Sequence, residues 1–297
     1  MVPTDLSVGL YFHVPFCLSR CGYCHFLSLP YDLETAARYA RALLREIDRG
    51  GTTHLPGQGI DSIYLGGGTP SVMPADFVPS LLRACRRFRP AGDCEISMEA
   101  NPGTLSREKV DAWKRSGVNR VSLGAQSFTD SELAGVGRTH TSAMTLDSIR
   151  LLRRGGIRNL NLDLMLGLPG QTRLSWTRSL EAAARLQIEH LSVYMLDLDQ
   201  ACTLQAEVSR GALRLPEEEL TADLYLETIA FLEGCGYRQY EISNFSLPGY
   251  ACRHNLKYWL REPVVGFGLG SHSFDGGSRW ANTPEKAHHK TAPGKVI

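Results

Sequence analysis

The chain has 297 residues, with 32 Lys and Arg against 31 Asp and Glu, a net charge of +1. That balance excludes broad phosphate-backbone binding, which needs a concentrated basic excess. Its 43% hydrophobic and 21% charged residues describe a globular chain, long enough for two domains or one large α/β barrel and for a core without covalent staples.

No apolar run approaches the roughly 18 residues of a membrane span. The N-terminal segment has no basic stretch before an apolar one and no small-residue cleavage site, so no signal peptide is expected and the protein is placed in the cytoplasm.

Strand and helix patterns alternate. Leu10, Tyr11, Phe12, His13 and Val14 read as a strand. A helix follows from Leu33, with Ala36, Ala40, Leu43 and Ile47 on one face and Gly50 and Gly51 stopping it. Residues 60–65 predict a strand and 76–88 a helix; 94–98 a strand and 106–115 a helix, ending near Gly117. Residues 120–123 predict a strand and 142–154 a helix, capped by Thr141 or Ser142 and ended by Gly155. Then come a strand at 160–164, a helix at 173–187, a strand at 191–196 and a helix opening at Pro216 with acidic residues in its first turn. Six such units in order imply parallel strands with right-handed crossovers.

Strand parity separates an open doubly wound sheet from a barrel. Leu160, Leu162 and Leu164 oppose Asn159, Asn161 and Asp163; Cys94, Ile96 and Met98 oppose Glu95, Ser97 and Glu99. Val121, Leu123 and Ala125 oppose Ser122, Gly124 and Gln126; Leu10, Phe12 and Val14 oppose Tyr11 and His13. Parallel strands covered by helices on both faces are near-continuous apolar runs. These each carry one polar face, so the pattern predicts a partial (β/α)6 barrel with helices outside and a polar, partly hollow lumen.

Eight cysteines stand at 17, 21, 24, 85, 94, 202, 235 and 252. The last five are scattered and read as small buried apolar residues. Cys17, Cys21 and Cys24 form C-x3-C-x2-C directly after the first strand. Clustered thiolates select zinc or an iron–sulfur cluster. Structural zinc wants four closed ligands, His25 is poorly placed beside Cys24 to chelate the same ion, and no second CxxC pair exists. Three thiolates on a cubane leave one iron open, so the iron–sulfur reading is favoured.

This loop, at this place in this strand order, resembles the signature of the radical S-adenosylmethionine (SAM) superfamily. The resemblance implies a [4Fe–4S] cluster on the three cysteines, SAM chelated to the open iron, and reductive cleavage to a 5′-deoxyadenosyl radical. Within that superfamily the chain is similar to the oxygen-independent coproporphyrinogen III oxidase group from about Leu10 to Asn282. Gly66-Gly67-Gly68-Thr69-Pro70-Ser71 then matches the segment at the amino-acid end of SAM; a dinucleotide fingerprint would need glycine where Ser71 stands. Glu99 matches the position that meets the ribose hydroxyls. Tyr11, Tyr23, Gln126, Arg138 and Asp163 match further SAM contacts. Read singly, Glu99 and Asp163 are surface carboxylates, Arg138 a solvated helix residue and Gln126 a turn former. Together they stand at successive strand ends on the lumen face, where barrels place chemistry. The segment from Leu168 to Thr172 lacks the Lys of a phosphate-binding loop.

The group has two branches. True oxidases carry a fourth cysteine, where this chain has Phe26. The haem-chaperone branch lacks it and carries a His-Asn-x-x-Tyr-Trp segment linked to haem, matched by His254, Asn255, Tyr258 and Trp259. A neutral imidazole suits haem iron and aromatic rings suit a macrocycle; read without the resemblance, the same residues anchor a closing segment, with His254 bridging or capping. His272 is a weaker candidate, and His13 is expected to line the lumen near the cluster. The resemblance favours a carrier of haem to recipient haemoproteins, served by an electron donor, over an oxidase or a zinc protein. The expected division is a barrel over 1–242, an extension with the haem segment over 243–284 and an irregular tail over 285–297. The resemblance also implies a helical C-terminal domain that this sequence lacks, leaving either a naturally short chain or a truncated one. An uncovered barrel would admit water to a radical intermediate.

Overall fold

The computed structural model describes residues 7–50, 59–199, 202–284 and 295–296. Six parallel strands run consecutively: β1 (Val8–Val14), β2 (Ile60–Gly67), β3 (Pro90–Ala100), β4 (Arg120–Gln126), β5 (Asn159–Leu166) and β6 (His190–Met195). Helices α1 (Leu33–Gly50), α2 (Phe77–Cys85), α3 (Arg107–Ser116), α5 (Ser142–Arg154), α6 (Arg173–Arg185) and α8 (Glu218–Gly234) follow the six strands in turn. Two short helices, α4 (Asp130–Gly135) and α7 (Thr203–Ser209), fill strand-to-helix connections and carry too few apolar positions to signal themselves in sequence. The expected stop at Gly51 lies outside the described residues. The last barrel helix starts two residues later than Pro216, with Glu217 as its N-cap.

The alternation along the strands separates two faces in three dimensions. Leu10, Phe12, Val14, Ile63, Leu65, Val121, Leu123, Leu160, Leu162, Leu164, Leu191 and Val193 are buried under the helices. Register then aligns the opposite faces: Tyr11 beside Tyr64, Tyr64 beside Ser97, Glu99 beside Ser122, and Asp163 beside Ser192. The outer layer is held by residues such as Trp176 on α6, fully buried with its indole N–H donated to Thr228 on α8 at 2.8 Å. An aromatic side chain buried this fully contributes about 1.5–3 kcal/mol by area.

The segment after 243 does not form a separate unit. β7 (Asn244–Ser246) pairs antiparallel with β6, while β8 (Val264–Phe267) pairs parallel with β1 on the other edge. Between them lies α9 (Arg253–Leu260). β9 (His272–Phe274) and β10 (Arg279–Ala281) continue antiparallel from β8. The sheet stays open, because β1 and β6 each find other partners. Within the tail expected to be irregular, Lys295–Val296 pairs with β10, and its other residues lie outside the described ones. No helix among the described residues is long and apolar enough to cross a membrane.

The scattered cysteines divide. Cys85, Cys94 and Cys252 are buried as expected, but Cys235 is exposed and Cys202 caps α7, its sulfur accepting from the Gln205 amide at 3.4 Å. All eight are free thiols.

Candidate cofactor site

A cavity of about 590 Å³ opens at the C-terminal ends of the strands. That volume suits a small-molecule cofactor. Cys17, Cys21 and Cys24 all line it, on the loop leaving β1. The loop is pinned from several sides. Phe16–Cys17 pairs with Leu29–Pro30, the Gly22 amide donates to Val136 O at 3.1 Å, and the Leu204 amide donates to Gly22 O at 2.9 Å.

Two of the cysteines are joined through the strand ends by a circuit of side chains. The Thr69 hydroxyl donates to Cys17 Sγ at 3.5 Å and accepts from the Asn101 amide at 2.9 Å. Arg138 donates to Asn101 Oδ1 at 3.2 Å and, through its other terminal nitrogen, to Cys21 Sγ at 3.4 Å. Burial pushes the Cys17 thiol up, and the hydrogen bond from Thr69 opposes this. Among the described residues no three His, Cys, Asp or Glu side chains converge on the position of a single ion.

Glycines at the strand ends make room for the polar groups. A Cβ on Gly66 would lie 2.8 Å from Glu99 Oε1, and one on Gly124 would lie 2.6 Å from the Arg138 guanidinium. Gly67 has φ of +110°, and a Cβ there would meet the His13 ring at 2.5 Å. Glu99 accepts from the Tyr64 hydroxyl at 3.0 Å and the Gly67 amide at 3.1 Å. Burial pushes its carboxyl up to about 7, and the negative charge of Asp163 adds to this. Burial also raises Asp163, opposed by hydrogen bonds from Ser122, Ser192 and Asn161.

The Radical SAM superfamily profile matches residues 11–183. The chain is 36% identical to the haem chaperone HemW of Lactococcus lactis over 95% of this chain and 74% of that protein. It is 36% identical to Escherichia coli HemW over 89% of this chain and 69% of that one. The chain belongs to the radical SAM superfamily and to its HemW family. Among solved structures, coproporphyrinogen III oxidase HemN of E. coli, described as a radical SAM enzyme, superimposes with a TM-score of 0.84 at 25% identity, covering 96% of this chain and 68% of that one.

Membership of the radical SAM family implies a [4Fe–4S] cluster and SAM, and the cavity fits both. Its wall carries three thiols on one loop, a glycine-lined cradle, and two buried polar atoms without partners, Gln126 Oε1 and Arg138 Nε. A ligand with its own donors and acceptors would satisfy them. Gln126 does turn the chain, with φ of +65° at a bulge, yet its side chain also reaches the wall. Eight of the nine residues matched to SAM positions line the cavity: Tyr23, Gly67, Gly68, Thr69, Glu99, Gln126, Arg138 and Asp163.

Tyr11 does not. It lies deeper, its hydroxyl 3.2 Å from His13 Nδ1 and its ring 6.2 Å from those of Tyr64 and His254. His13 is also buried beneath the cavity, bonded to Leu27 O at 2.9 Å, and supports Gly67 from below. Tyr64, Asn101, Ser122 and Tyr194 also line the wall, beyond the positions the family resemblance matches. Tyr64 and Tyr194 were legible by extending the parity argument to β2 and β6.

The haem segment sits elsewhere. His254 is on α9, only 1% exposed, at the N-terminal end of the barrel. Both ring nitrogens are engaged, Nδ1 with Ser62 at 3.1 Å and Nε2 with the Tyr258 hydroxyl at 3.2 Å. In this arrangement the ring bridges side chains and offers no nitrogen to an iron. Asn255 is half-buried, whereas Tyr258 and Trp259 are exposed.

Proposed function

We propose that this protein binds haem and passes it to recipient haemoproteins, with the cluster and SAM held in the barrel cavity. The observation that carries this reading is Phe26. It lines the cavity mouth, two residues after Cys24, and is 67% exposed. Neither a fourth thiol nor a polar group occupies the position where the oxidase resemblance places cysteine. The named relatives that match most of the chain are haem chaperones, and that likeness supports the same assignment.

When bound, the cluster supplies one-electron chemistry to SAM at its open iron. The residues of this chain hold the pair in place. Cys17, Cys21 and Cys24 ligate the cluster, with Thr69 and Arg138 orienting two of the sulfurs. Gly67 and Gly68 let backbone approach the amino-acid end of SAM, while Glu99 accepts its ribose hydroxyls. Gln126 and Asp163 close the far wall. The chain works in the cytoplasm, where thiols stay reduced, and its eight free cysteines agree with such a compartment. An electron-donor protein reaches the cluster at the mouth, where Leu18 and Phe26 are both exposed beside the cysteines.

Haem titration of the anaerobically reconstituted protein tests the reading. The expected result is a Soret band that saturates, with haem then moving to an apo-haemoprotein. No haem band, together with turnover of coproporphyrinogen III when SAM and reductant are supplied, would replace the carrier reading with the oxidase one.

A further inference from the structure

Asn101 follows β3 directly, and its side chain ends between two strand-end groups that each face a cysteine of the loop. Both sides of its backbone are tied down. Its amide donates to Ser71 Oγ at 3.1 Å, and its carbonyl accepts from the Thr104 hydroxyl at 2.7 Å. Ser71 and Thr104 in turn share a hydrogen bond of 2.6 Å. The side-chain amide therefore acts on Thr69 and Arg138 from a fixed base.

Donor chemistry sets the direction of that action. A guanidinium has no acceptor, so the amide atom facing Arg138 at 3.2 Å is the oxygen, and the nitrogen faces Thr69 at 2.9 Å. Thr69 Oγ accepts that N–H and keeps one proton to give, which goes to Cys17 Sγ at 3.5 Å. Arg138 is held at one terminal nitrogen by Asn101 and by the Gly124 carbonyl. Its other terminal nitrogen is thereby aimed at Cys21 Sγ, at 3.4 Å. Gly124 leaves the room for this, since a Cβ there would lie 2.6 Å from the guanidinium and 2.8 Å from Asn101 Oδ1. One primary amide thus fixes a hydroxyl donor on one cysteine and a charged donor on another.

We infer, on the cluster reading of the cavity and independently of haem delivery, that Asn101 is a positioning residue that raises the reduction potential of the cluster. It acts through Thr69 on Cys17 and through Arg138 on Cys21. Reduction adds one electron from the donor to the cluster, with no bond made or broken, so the reduced form carries one more negative charge. Hydrogen bonds to the ligating sulfurs are stronger in that form, and they draw the potential upward. Thr69 and Arg138 match SAM positions in their own right. Asn101 has no such match, and its contribution is to keep both groups turned toward sulfur.

Potentiometric titration of the reconstituted chain without SAM, with dithionite as reductant and the EPR signal of the reduced cluster as readout, tests this. The proteins compared are wild type, Asn101→Leu, Thr69→Val and Thr69→Ser. Leucine is close to asparagine in size and uncharged, but has neither amide atom. Asn101→Leu should shift the reduction equilibrium about tenfold toward the oxidised form, a midpoint about 59 mV lower for one electron. Thr69→Val should move the midpoint the same way by less, because only Cys17 loses its donor, and Thr69→Ser should stay at the wild-type value. A wild-type midpoint in either Asn101→Leu or Thr69→Val would overturn the proposal. If Asn101→Leu holds no cluster, the Thr69→Val and Thr69→Ser pair decides in the same terms. Wild type without acid-labile sulfide would remove the cluster reading itself.

Discussion

Glu99 carries the most testable single side chain. Its carboxyl is raised to about 7 by burial first and the charge of Asp163 second, so it is largely protonated at pH 6 and ionised at pH 8. Only the ionised form accepts from both ribose hydroxyls, so SAM affinity should rise across that interval. Equilibrium binding to reconstituted protein at pH 6 and pH 8 checks this. Glu99→Gln should bind about tenfold more weakly at pH 8, the scale of a charge-assisted hydrogen bond, and lose the pH dependence. Gly67 makes a second prediction. With φ of +110° and His13 in the space of a Cβ, Gly67→Ala should destabilise the fold by about 1–3 kcal/mol, read as a lower urea midpoint. At this scale the sequence was informative where residue type and chain position combined. Cysteine spacing and strand-end polarity marked the cavity wall, but nothing local distinguished Tyr11, which turns into the lumen one layer too deep. Nor does a histidine motif say whether both nitrogens will be used by neighbours 192 and 4 residues away, as those of His254 are.

At the scale of elements, α9 closes the N-terminal end of the barrel through a carboxylate on another strand. Glu95 of β3 accepts from the Arg253 amide at 3.1 Å, the His254 amide at 3.4 Å and the Cys252 thiol at 3.4 Å. It thus caps a helix whose own N-cap side chain makes no such bond. Glu95→Ala should cost about 1–3 kcal/mol by orphaning those donors, measured by chemical denaturation. His254, just inside that helix, is held neutral. Burial lowers its pKa to about 3, with Lys257 and then Arg120 adding. An unfolded histidine takes a proton near 6.5. The stabilisation is therefore complete above that pH and is lost as pH falls from 6.5 toward 3. Unfolding midpoints between pH 7 and pH 4 should fall more steeply for wild type than for His254→Gln. The six barrel strands were legible because each alternates cleanly. The closing elements were not, because three-residue strands such as β7 and β9 are too short to show a period, and β7 pairs with β6, more than fifty residues away along the chain.

Across the whole molecule, the C-terminal strand ends hold the cofactor cavity, while α9 and the added edge β8–β10 lie elsewhere on the sheet. The 243–284 segment, expected as an extension of the barrel, lengthens both edges of its sheet, because β8 pairs with β1 and β7 with β6. Because the 254–259 segment on α9 lies away from the cysteine-lined cavity, haem and cluster should load independently. Haem should bind protein whose cluster cysteines are replaced, as Cys17→Ala with Cys21→Ala and Cys24→Ala, with affinity within about threefold of wild type. The most direct test of the central claim is the absorbance of one anaerobic preparation titrated with haem after iron and sulfide analysis. The expected result is equal iron and acid-labile sulfide together with a saturating Soret band. Zinc without acid-labile sulfide, or a cluster with no haem band, would contradict it.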